Sequence, residues 1–176
     1  ALTLEGPLFR KDKDKPAKTT MLFSVRRSYL QLLFELIGLP IRPDYWDYQW
    51  KINHEIDAYN TLVFLGLGTI DDFSVKAPDN FDAEQQATIE QVPIIQQKTI
   101  TVGVSWKKKF KNGKGSMITS VSTNRLQNVF SRFKDNTKKS GVLFQNDSHE
   151  QETKLRFQTQ HYLDQWKVAA GTNIQY

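Results

Sequence analysis

Residues 94–121 read IIQQKTITVGVSWKKKFKNGKGSMITSV. Ile100, Val102, Val104 and Trp106 alternate with Thr101, Gly103 and Ser105, the two-residue period of a half-buried strand. Asn112-Gly113 follows, between that strand and a second β-like run, Ser116 to Val121. An Asn-Gly pair between alternating flanks is a strong short-range signal for a β-hairpin. The stretch therefore predicts antiparallel sheet, and the rest of the chain is read outward from it.

Upstream, Tyr48, Trp50, Ile52, His54 and Ile56 alternate with polar residues and predict another strand, with residues 60–67 as a more central one. Residues 40–47, with two prolines, read as a loop. Tyr29, Leu32, Leu33, Leu36 and Ile37 recur at helical spacing and predict a core helix over 26–39, stopped by Gly38 and Pro40. Residues 77–91 are acidic and polar and predict a loop with a short helix starting near Asp82. Downstream, Ser122 or Thr123 caps a predicted helix to Lys134, with Leu126, Val129, Phe130 and Phe133 inward. Residues 145–152 (QNDSHEQE) read as a polar turn, 153–160 as a strand and 162–169 as a terminal helix. The expected fold is α+β: an antiparallel sheet with two or three packed helices and a projecting basic hairpin. Residues 1–18 form an N-terminal strand and charged arm, and 19–176 a single domain.

At 176 residues, 39% hydrophobic and 12% aromatic, the chain has the makings of one globular core. It has no cysteine, which excludes disulfides and thiolate chemistry. No run approaches 18 apolar residues, so no membrane span is expected, and a soluble protein, cytoplasmic or within a macromolecular particle, is the reading. The N-terminal residues do not read as a signal peptide.

The net charge of +5 is unevenly laid out. Residues 43–97 hold ten acidic and two basic side chains; residues 98–139 hold eleven basic and one acidic. The basic block centres on Lys107, Lys108, Lys109, Lys111 and Lys114, flanked by Trp106 and Phe110, and continues through Arg125, Arg132, Lys134, Lys138 and Lys139. The acidic block offers Asp44, Asp47, Asp71, Asp72, Asp79, Asp82 and Glu84, with Tyr45 and Trp46 as aromatic contacts. Complementary blocks of this kind lead to the expectation of a non-enzymatic structural or assembly protein, a homo-oligomer or part of a larger complex.

The alternative is a nucleic-acid-binding protein whose lysines meet phosphates while Trp106 or Phe110 stacks on a base. An anionic membrane surface would attract the same lysines, but the sequence shows no strong apolar anchor. A third reading is a metal-dependent nuclease on Asp71 and Asp72 with Lys76. His54, His149 and His161 are scattered, and no metal, cofactor or catalytic set is nominated.

Overall fold

The computed structural model describes residues 1–9, 16–75, 89–90 and 92–176. Eight strands run in chain order: β1 (Leu2–Phe9), β2 (Thr19–Arg27), β3 (Ile41–Glu55), β4 (Asn60–Val75), β5 (Ile94–Lys109), β6 (Gly115–Asp135), β7 (Ser140–Leu163) and β8 (Trp166–Gln175). Each pairs antiparallel with the next, giving one meander in the order β1 to β8. β1 and β8 are not paired with each other. The one described helix of any length is α1 (Leu30–Leu36), between β2 and β3.

The α+β expectation is thus overturned: 76% of the described residues are strand and 6% helical. Three segments account for the difference. Residues 122–134 lie in β6, paired on both sides from Thr123↔Val102 and Thr123↔Thr153 to Phe130↔Ile95 and Phe130↔Asn146. Leu126, Val129, Phe130 and Phe133 match a helical stripe only by coincidence of spacing. Two ladders satisfy this backbone without a helix, and Val121, Thr123 and Val129 are β-branched. Residues 162–169 end β7 and begin β8, with the tight turn at 164–165, where Asp164 takes a φ of 49°. The 26–39 helix shrinks to α1, and none of its residues is buried: Leu36 is 83% exposed and Ile37 60%. The expected helix near Asp82 lies outside the described residues.

Two expected irregular segments are also strand. Residues 41–47 open β3 despite Pro43. Tyr45 points its carbonyl toward β2, accepting from the Ser28 amide, so Pro43 points the same way. β2 has ended opposite Trp46 by then, and a missing N–H there breaks no ladder bond. Residues 145–152 run within β7, opposite Ser131 to Asn124.

The Asn112-Gly113 turn forms as predicted, with Gly113 at φ 70° and the Asn112 side chain accepting from the Lys114 amide. It does not project. Asn60 pairs with Lys108 on one side, and on the other the Tyr162 amide donates to the Lys114 carbonyl.

Among the described residues, buried apolar side chains are few: Val63, Val75, Ile89 and Ile94. Val75, Ile89 and Ile94 cluster with Phe133 at one end of the sheet. Buried Asn136 ties that end together, accepting from the Phe133 amide and donating to the carbonyls of Ile89 and Val92. The accessible surface is 12760 Å². A compact monomer of this mass exposes about 8,800 Å². The excess is that of a single layer with no second layer on it.

Candidate functional site

The register sorts every strand residue to one of two faces, because directly paired residues share a face and neighbours in sequence alternate. One face, here face A, holds Leu2 and Leu4 on β1, then Met21, Phe23 and Val25 on β2. It continues with Trp46, Tyr48, Trp50 and Ile52 on β3, and Leu62, Phe64 and Ile70 on β4. β5 adds Ile100, Val102, Val104 and Trp106; β6 adds Met117 and Val121. Leu155 and Phe157 on β7 and Val168, Ala170 and Ile174 on β8 complete it. None of these side chains is buried. The face is smoothed at β4, where a side chain at Gly66 would stand 2.2 Å from the Trp50 ring and one at Gly68 2.5 Å from Tyr48. The glycines let the two rings lie flat across the neighbouring strand.

Face B carries mainly polar residues over the same rows: Gln49 and Lys51; Thr99, Thr101 and Ser105; Ser120, Ser122 and Asn124; Lys154, Arg156 and Gln158. Leu22 on β2, Val63, Leu65 and Leu67 on β4, and Ile118 and Leu126 on β6 are its apolar exceptions. Ser120, Ser122, Lys154, Arg156 and Asn173 line a shallow depression on it. Lys154 is paired there with Glu152 at 2.6 Å.

The apolar band on face A does not follow the hydrogen-bonded rows. On β3 it covers Trp46 to Ile52, on β5 Ile100 to Trp106, on β8 Val168 to Ile174. Ile100 faces Arg125 on β6, while Lys108, beyond the band on β5, faces Met117. The band therefore crosses the strands obliquely, moving toward the 110–114 turn from β3 to β8. Beyond it, residues 145–152 of β7 are polar on both faces.

The connections divide by end. Residues 56–59, 110–114 and 164–165 are short turns at one end, where β1 and β2 are also joined between Phe9 and Thr19, while 28–40, 76–93 and 136–139 lie at the other. Lys107, Lys108, Lys109, Lys111 and Lys114 sit at the short-turn end. Trp106 is there on face A, its indole N–H donating to Asn60 and the Lys108 ammonium 5.7 Å from its ring. Phe110 stacks on His161 at 4.8 Å. Asp57 closes the 56–59 turn, and the amides of Tyr59 and Asn60 together with the Asn60 side chain hold its carboxyl below the usual carboxylate range.

The other predicted basic residues do not join this patch. β6 runs straight away from the turn, so Arg132 lies about 50 Å from Ser116 along the strand. Arg125 sits on face A, Arg132 on face B, and Lys134, Lys138 and Lys139 at the far end. Sequence reasoning brought them together only through a helix that does not form.

The described members of the predicted acidic surface, Asp44, Asp47, Asp71 and Asp72, sit toward that far end. Arg26 pairs with Asp47, and Arg27 bidentately with Asp44 while stacking 5.2 Å over Trp46. Hydrogen bonding to these carboxylates raises both guanidinium pKa values. Tyr45 is beside them, opposite Asp71. Asp71 accepts from Thr69 and Asp72 from Gln96. Asp71 and Asp72 are adjacent on β4 and point to opposite faces, so they do not converge as a metal pair. No group of three His, Asp or Glu suited to a metal occurs among the described residues. Asp79, Asp82, Glu84 and Lys76 lie outside them.

Sequence reasoning missed the band itself, along with Tyr162, Trp166 and Lys167 at the short-turn end. The available signal was alternation beyond residue 121, which the helical reading of 122–134 and 162–169 concealed. No known protein family, curated protein or solved structure matches the chain.

Proposed function

We propose that this sheet is part of the wall of a membrane-spanning β-barrel, with face A toward lipid and face B toward the barrel interior. The observation that carries the reading is the oblique apolar band crossing all eight strands on one face. In water, an unpartnered apolar face of this extent is unfavourable, since monomers expose patches of a few hundred Å² at most. In lipid it needs no second layer.

Three features support the reading. Barrel strands tilt by about 35–45° to the membrane normal, so a band parallel to the membrane must cross the rows obliquely. The run on β4, Leu62 to Ile70, matches the 9–11 residues a tilted strand needs. Three of the four connections at one end have two to five residues, whereas two of the three at the other have 13 and 18, an asymmetry usual for such barrels. No described helix is long and apolar enough to cross a membrane, a criterion that does not bear on strands. Both sheet edges carry unpaired backbone groups, which a bilayer tolerates only if β1 and β8 meet or further strands are added. The expectation of a structural component that docks into a larger assembly is carried within this reading, with strand edges in place of complementary charge blocks.

The absence of native cysteine makes the test direct. Single cysteines at Val102 and Val121, on face A, and at Thr101 and Ser122, on face B, are compared in lipid vesicles. Face A positions are expected to be shielded from a charged thiol reagent and to contact a lipid-borne quencher through an attached fluorophore. Equal labelling of adjacent positions by the charged reagent would sink the proposal.

A further inference from the structure

We propose that the lysine-rich short-turn end seats in an anionic phospholipid headgroup layer, a reading that rests on the barrel proposal. On face A the apolar run of β5 ends at Trp106, and the next residue outward on that face is Lys108. Its ammonium is held 5.7 Å from the Trp106 ring centre, so the aliphatic stem lies beside the aromatic and the charge points past the band. On the β7–β8 hairpin the face A aromatic at this end is Trp166, 76% exposed, whereas Tyr162 and Lys167 pair on face B. An aromatic at the edge of an apolar band with a lysine just beyond it, as at Trp106 and Lys108, matches the order of a bilayer interface: acyl chains, then glycerol and carbonyls, then headgroups.

Charge decides the headgroup. Lys107, Lys108, Lys109, Lys114 and Lys167 form no ion pair within 4.0 Å with any described carboxylate. Among the described residues, the acidic groups at this end are Glu55, Asp57 and Asp164. Asp57 is occupied by the amides of its own turn and feels Lys111. At the far end Arg26, Arg27 and Lys138 are each paired with a carboxylate. The cationic end therefore has its counter-charge outside the described chain. A phosphate layer level with the lysines supplies it, since each lysine near an anionic surface adds to the attraction.

The test uses the full chain with vesicles of phosphatidylcholine, with and without phosphatidylglycerol, and follows partition by flotation. Partition is expected to rise about tenfold or more with the anionic lipid at low salt, and the gain to shrink as salt rises. A variant with Lys107, Lys108, Lys109, Lys111 and Lys114 changed to Gln keeps its partition into phosphatidylcholine and loses the gain. An unchanged gain in that variant overturns the proposal. So does an equal loss in the control with Lys134, Lys138 and Lys139 changed to Gln, because net charge and not position would then explain it. Failure to enter either vesicle counts against the barrel. Lysine-dependent surface binding to the anionic vesicles would still support the headgroup assignment. Capture of a DNA duplex that the five-lysine variant loses, with the vesicle gain intact, would assign the lysines to nucleic acid instead and overturn it.

Discussion

Trp50 and Gly66 show how a single residue choice shapes this surface. The glycine has no conformational peculiarity to serve; it is there because the indole occupies the space a Cβ would need. Gly66→Val is expected to cost about 1–3 kcal/mol through overpacking, read as a lower urea midpoint. Most of that cost should disappear in a Trp50→Ala background, which a double-mutant cycle would detect. Asp57 makes a prediction about pH. Its charged form accepts the hydrogen bonds of the turn, so its folded pKa lies below the unfolded one. The turn's stabilisation is then fully present above the ordinary aspartate pKa and is lost as pH falls through the lowered value. Hydrogen exchange at the Tyr59 and Asn60 amides should quicken across that window, beyond the intrinsic change, and Asp57→Ala should remove the effect.

At the scale of elements, β6 is the segment where a helical stripe and a strand compete. Ser120, Ser122 and Asn124 alternate with Val121 and Thr123, a pattern of period two. Leu126, Val129, Phe130 and Phe133 restore a period near 3.6. Local spacing does not decide between them; the two ladders to β5 and β7 do, because each satisfies backbone groups along the whole run. Thr123→Pro should therefore cost about 1–3 kcal/mol, the loss of a buried ladder bond. The circular dichroism spectrum should show strand with almost no helical signal. A helical band accounting for residues 122–134 would contradict this assignment. β7 is the reverse case. Its 145–152 segment has no alternation, because both faces are polar there, and so reads as a turn although it is paired throughout with β6.

For the whole molecule, the governing fact is that one sheet has one apolar face and, among the described residues, no layer covers it. If that face meets lipid, the sign of a substitution depends on the face it lands on. Val102→Arg, near the middle of the band, should lower stability in vesicles by about 2–4 kcal/mol, whereas Thr101→Arg, its neighbour on the polar face, should be nearly neutral. Equal costs at the two positions would mean that both faces see the same medium. The charge blocks also take on meaning only at this scale. The lysines of 107–114 and the carboxylates of Asp44, Asp47, Asp71 and Asp72 lie toward opposite ends of the strands, and Asp44 and Asp47 are compensated by Arg27 and Arg26.

The sequence alone determined the strand of residues 100–106, the alternation of 48–56 and the Asn112-Gly113 turn, because period two and turn chemistry are local properties of adjacent residues. It also marked the lysine cluster and its flanking aromatics. The tertiary structure alone decided that 122–134 and 162–169 are extended, and that Trp46, Ile70, Ile100, Val121 and Ile174 share one face. It also decided that Arg125 and Lys139 lie far from Lys108. Each of these depends on register between strands that are distant in the chain. A one-residue slip in any ladder would move half of the band to the other side, and nothing within a single strand reports that register.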